Sequence, residues 1–156
     1  YGRAFRMKVF YYDPFVTDDR NIKCDNLLDL AKSSDIVSIH VHLSRDTENL
    51  IGKKFIDTMK KDSYIINTSR GGIVDENDLL DALRSGHLAG AGLDMLTGEH
   101  LPGFKYMLQE HPLVKYANTH DNLLITPKMG GATIDAWKGT EKYIVDMIIK
   151  ELNKKE

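Results

Sequence analysis

"SYIINTSRGGIVDENDLLDALRSGHLAGAGLDM", residues 63–95, decides how this chain is read. It opens on an apolar, β-branched run that closes on Asn67-Thr68-Ser69-Arg70 and two glycines. Asp75 then offers a helix N-cap and Gly86 a helix stop, with Leu79, Leu80, Ala82 and Leu83 on one side between them. Residues 88–95 form a second strand, built of small residues. Near-continuously apolar strands joined by a helix imply parallel pairing through a right-handed crossover.

The same alternation extends both ways from this unit. Upstream, "MKVFYYDP" (7–14) and "DIVSIHVHL" (35–43) read as strands. "NLLDLAKSSD" (26–35) and "GKKFIDTMKKD" (52–62) have helical spacing. Downstream, "NLLITP" (122–127) is a strand, and a last helix runs from Thr133 to about Lys154. Its apolar stripe is Trp137, Ile144, Val145, Ile148 and Leu152. The whole pattern predicts an α/β fold with a doubly wound parallel sheet.

Composition narrows the class. Hydrophobic residues make up 42% of the 156 and charged residues 28%, as in an ordinary globular domain. A net charge of −2 gives no reason to expect a nucleic-acid partner. No apolar run reaches the length of a membrane span. The single cysteine, Cys24, excludes an internal disulfide framework and suits a reducing cytoplasm. The chain begins at Tyr1, without an initiator methionine, which points to a fragment or a processed product.

In a parallel α/β sheet, ligands sit beyond the carboxyl ends of the strands. Those ends carry Asp13, then His40, Val41 and His42, then Arg70, Asp94 and Lys128. Taken singly, Arg70 reads as well as an incidental surface charge, and Asp13 as well as a turn residue before Pro14. Charges spread at random would lie along helix faces, so the whole series reads as one site. If Asp13 ends the second strand of a complete dinucleotide fold, it would accept hydrogen bonds from the adenosine ribose and repel a 2′-phosphate.

These segments resemble the NAD-dependent D-2-hydroxyacid dehydrogenases, the group of D-lactate and phosphoglycerate dehydrogenases. "YYDP", "DIVSIHVHLSRDTENLIG", "IINTSRGGIVDENDLLDAL", "GAGLDM" and "LLITPKMGGAT" match in order over nearly the whole chain. "GEHLPGF" and the long stretch to "LLITP" are similar to the D-lactate branch. The resemblance implies a Rossmann-type cofactor domain binding NAD and a 2-keto or 2-hydroxy acid substrate. It also implies a cytoplasmic homodimer with no metal. By analogy Arg70 grips the substrate carboxylate as a planar, bidentate donor. Asp94 lies at the nicotinamide carboxamide, and Thr68 and Ser69 at its ribose. Val41, His42 and Thr47 lie near the adenosine half. Glu99 matches the family's catalytic glutamate.

Three departures accompany the match. The family's catalytic histidine, expected in a TPH-x-GG pattern, is Lys128 here. A lysine ordinarily titrates near about 10.4, far above neutrality, so it is a poorly matched general acid. It can still donate a hydrogen bond to a developing alkoxide. Among the histidines, His87 and His111 read as helix-end or loop residues, and His100 and His120 as remote substitutes. Second, no G-x-G-x-x-G occurs, so the sheet is expected to lack its first strand and glycine loop. Third, the flanking substrate domain is absent, making residues 1–156 a partial NAD-binding domain. The chain alone is then expected to be inactive. The alternative is a non-catalytic binding or assembly domain with a degenerate site at Lys128.

Overall fold

The computed structural model describes residues 1–131 and 133–153. Among the described residues, six strands form two parallel sheets. β1 (Phe10–Tyr11) pairs with β2 (Ile22–Lys23) in a small sheet of its own. β3 (Ile36–Ile39), β4 (Ser63–Asn67), β5 (Leu88–Leu93) and β6 (Leu123–Ile125) form the main sheet, in that spatial order. The helices between them are α1 (Leu27–Ser33), α2 (Lys53–Thr58), α3 (Glu76–Arg84), α4 (Phe104–Met107) and α5 (Pro112–Ala117). A long helix, α6 (Ile134–Leu152), follows β6.

The deciding stretch folds as its residues dictate. β4 alternates, with Ser63, Ile65 and Asn67 buried and Tyr64 exposed. Asp75 caps α3, its carboxylate accepting from the Asn77 and Asp78 amides. Gly86 stops the helix at φ +70°, where a side chain would be strained. Leu79 and Leu83 bury against Ile65 and Leu88 in one apolar core. Burying each such side chain contributes about 1.5–3 kcal/mol.

Parallel α/β architecture is found as expected, with three differences. The sheet is split: among the described residues no strand joins β1 to β3. Second, α1, α2, α3 and α5 pack side by side on one face, while Ile36, Tyr64 and Leu124 leave the other face open. Third, the apolar stripe of α6 is exposed along its length, from Trp137 through Ile144 and Val145 to Ile148 and Leu152. Thr133 caps α6 through the Ala136 amide, as its sequence suggests. The end expected at Lys154 lies outside the described residues.

The strand expected over 7–14 shrinks to two residues, and β2 was not foreseen. Ile22 and Lys23 have too little around them to show a periodicity. The short helices between Met95 and Asp121 were not foreseen either, because the glycine and proline there obscure any period.

Candidate active site

Register places the site. Ile39 pairs with Asn67, Asn67 with Leu93, and Leu93 with Ile125, so four strands end in one row. The residues just beyond that row are His40 to His42, Thr68 to Arg70, Asp94, and Thr126 to Lys128. The sheet therefore brings Arg70, Asp94 and Lys128 to the same edge.

Asn67 builds the arginine turn. Fully buried at the end of β4, it accepts from the Ser69 amide and donates through Nδ2 to the Arg70 carbonyl, at 3.0 and 2.8 Å. Sequence reasoning passed over Asn67, although an asparagine closing a strand before Ser-Arg is the signature of a side-chain-closed turn. Arg70 is exposed and spends one guanidinium nitrogen, Nη1, on the Ser69 carbonyl.

Asp94 is buried and serves as the anchor of the next loop. Its Oδ1 accepts from the Thr126 hydroxyl and the Met129 amide, and its Oδ2 from the Gly130 amide. The Thr126 hydroxyl, above all, holds its carboxyl below the usual range; the Gly130 and Met129 amides and the Lys128 charge act the same way, against partial burial. A Cβ on Gly130 would stand 3.1 Å from Oδ2, so glycine permits this close approach.

The anchored loop presents Lys128 in the left-handed region, at φ +53°. A non-glycine residue held there costs about 1–3 kcal/mol, and such strain gathers at functional sites. Lys128 Nζ lies 2.8 Å from Glu99 Oε1, with the carboxylate largely shielded and the ammonium exposed. An apolar pocket of about 470 Å³ opens beside this pair, walled by Phe104, Leu108, Val114 and Ile125.

The remaining predicted residues take local roles. Asp13 Oδ1 accepts from the Phe15 and Val16 amides, the turn role that was its plainer reading. The Thr47 hydroxyl donates to the His42 carbonyl and accepts from the Ser44 amide. The Ser69 hydroxyl donates to the Ile39 carbonyl, tying β3 to the arginine turn. Thr68, Val41 and His42 are exposed at the strand ends. His87, read as a helix-end residue, contacts the Ile56 carbonyl, and His120, read as a remote substitute for the missing histidine, stacks on Tyr116.

Residues 1–130 match the family model described as D-isomer specific 2-hydroxyacid dehydrogenase, NAD binding domain. The chain belongs to that family. It is 38% identical over 153 residues to D-3-phosphoglycerate dehydrogenase of Bacillus subtilis, covering 96% of this chain and 27% of that protein. It is 40% identical over 138 residues to glyoxylate reductase of Thermofilum pendens, covering 85% of this chain and 38% of that protein. Among solved structures, D-2-hydroxyisocaproate dehydrogenase superposes with a TM-score of 0.85 at 27% identity, over 99% of this chain and 48% of that one. D-lactate dehydrogenase of Aquifex aeolicus, solved with NAD and lactic acid, gives 0.81 at 29% identity, over 98% of this chain and 48% of that one. The chain thus spans less than half the length of these relatives.

The family implies NAD, and the residues of this D-2-hydroxyacid dehydrogenase domain fit it at two places. Asp13 stands beyond the end of β1 with its Oδ2 still free of the turn that occupies Oδ1, so a ribose hydroxyl could donate to it. The exposed Val41 and Leu43 offer an apolar surface for a base. Thr47 and Ser69 already use their hydroxyl protons within the loops. No helix among the described residues is long and apolar enough to cross a membrane.

Proposed function

We propose that Arg70, Glu99 and Lys128 form the reacting end of an NAD-dependent D-2-hydroxyacid dehydrogenase that interconverts a 2-keto and a 2-hydroxy acid. In this reading residues 1–156 are part of the cofactor domain, and the substrate domain lies outside this chain. The complete enzyme is a cytoplasmic homodimer. The observation that carries the proposal is the Lys128–Glu99 contact at 2.8 Å, on loops leaving the same edge of the sheet as Arg70.

Each residue has a task its chemistry suits. Arg70 presents a planar fork to the substrate carboxylate, which fixes the carbon to be reduced. Lys128 donates a hydrogen bond to the carbonyl oxygen and stabilises the negative charge that develops there. Glu99 holds the ammonium in place through the 2.8 Å contact between Nζ and Oε1. Asp94 keeps the Lys128 loop in its strained turn. Nicotinamide, when bound, would supply or accept the hydride, and the matching proton would pass from or to Lys128 Nζ. Asp13 favours NAD over its 2′-phosphorylated counterpart by repulsion.

A second reading is a binding domain without catalysis, favoured by the lysine where the family has histidine. Steady-state kinetics on the full-length protein with NADH and a panel of 2-keto acids separate the two. Arg70→Lys should raise KM for the keto acid and lower turnover, because lysine keeps the charge and loses the fork. Kinetics identical to the parent would reject the role of Arg70. NADH binding without reduction of any 2-keto acid would favour the second reading.

A further inference from the structure

Glu76 stands in the first turn of α3, outside the strand-end row. A carboxylate there complements the helix dipole and needs no partner. Yet its side chain is only 16% exposed and reaches across to a distant loop. Oε1 accepts from the Thr97 amide at 2.7 Å. Oε2 lies 3.3 Å from His111 Nε2. His111 is itself 13% exposed, begins α5, and meets Phe104 edge-on at 6.2 Å. Its Nδ1 is buried with no partner among the described residues, so Glu76 provides the ring's polar contact.

Gly71 packs against the same peptide. A Cβ built there would stand 2.1 Å from the Leu96 carbonyl carbon and 2.2 Å from the Thr97 nitrogen. The Leu96–Thr97 peptide is thus held by both the residue that follows Arg70 and a carboxylate braced by α5. Two residues beyond Thr97 comes Glu99, which meets Lys128. One rigid contact therefore links the Arg70 turn to the Glu99 loop.

We infer that Glu76 and His111 are positioning residues that set the separation between Arg70 and the Glu99–Lys128 pair. Neither touches the reacting atoms. They act through the Leu96–Thr97 peptide, and the inference rests on the proposed function only for what the positioned groups then do. A displacement of about 1 Å at such groups costs on the order of 100-fold in rate.

The test uses the full-length protein and the variants Glu76→Ala, Glu76→Gln and His111→Phe, well below their unfolding temperatures. Glutamine keeps an oxygen for the Thr97 amide and turns an NH2 donor toward the imidazole, which can accept at an unprotonated Nε2. Hydrogen exchange at the Thr97 to Glu99 amides is read without substrate, and kcat and KM with it. Glu76→Ala should lose protection at Thr97 and lower kcat on the order of 10- to 100-fold with the NADH KM unchanged. His111→Phe should fall between it and the parent, and Glu76→Gln should restore most of both readouts. Unchanged exchange and kcat in Glu76→Ala would overturn the inference. So would losses that glutamine does not rescue and that follow only the melting temperature. If the parent reduces no keto acid, the proposed function fails, and the exchange pattern alone decides the positioning role.

Discussion

Lys128 concentrates the departure from the family in one residue. Its charge, its left-handed backbone and its contact with Glu99 are properties of a donor held in place. A group whose acidity matches the working pH transfers protons better, and general acid catalysis is worth roughly 10²–10⁴-fold. In the full-length protein, Lys128→His should therefore speed keto-acid reduction near neutral pH. The rate profile from pH 5 to 9 checks it: a histidine variant no faster at any pH would overturn the prediction, pointing to lysine as the acid where the parent is active and to a site that has lost catalysis where both rates are negligible. Arg70, Asp94 and Lys128 stood out in the sequence because charged residues at strand ends contrast with apolar runs, whereas Glu99 was singled out by the family resemblance alone. Asn67, Glu76 and His111 were not legible, because their roles come from contacts made only after the chain folds back on itself. Glu76 and Thr97 are 21 residues apart, a separation that no local pattern encodes.

The elements hold these residues through two close approaches of backbone. At the first, Gly71 meets the Leu96–Thr97 peptide, and a methyl group has nowhere to go. Gly71→Ala should lower stability by roughly 3 kcal/mol, the upper range for overpacking. Gly139→Ala is its control: Gly139 lies inside α6 with nothing near its absent Cβ, so alanine should be neutral or stabilise by up to about 1 kcal/mol. Denaturant melts of both variants check the pair, and equal effects would refute the packing argument. At the second approach, Asp94 anchors the loop from Thr126 to Gly130. Its carboxyl titrates below the ordinary aspartate value of 3.8, so the stability it lends is present above that value and is lost as pH falls through the lowered one. Protection of the Met129 and Gly130 amides should persist to below pH 3.8 in the parent and be weakened already at pH 7 in Asp94→Asn. Protection unaffected by the substitution would mean the loop holds itself. Element types were legible wherever a strand or helix was long enough to show its period. The split sheet was not, since pairing across β1, β2 and β3 depends on which strands meet in space.

The molecule as a whole leaves two apolar surfaces uncovered. Trp137, Ile148 and Leu152 on α6 are 63%, 54% and 61% exposed. The open face of the main sheet adds Ile36, Tyr64 and Leu124, and the outer edge of β3 has no partner strand among the described residues. Contiguous apolar patches and unpaired edges drive association. The same polypeptide contains no G-x-G-x-x-G turn to aim a helix N-terminus at a pyrophosphate. Two outcomes are expected of the 156-residue chain made by itself. NADH should bind it weakly or not at all, and a low-micromolar Kd by fluorescence titration would contradict this. It should also self-associate as concentration rises, through α6 and the sheet face. Light scattering coupled to gel filtration reads the mass directly. Replacing Trp137, Ile148 and Leu152 together by polar residues should shift the mass toward the monomer, if α6 contributes. A single monomeric mass at every concentration in the unaltered chain would show that these surfaces close on each other in solution, contrary to the arrangement described.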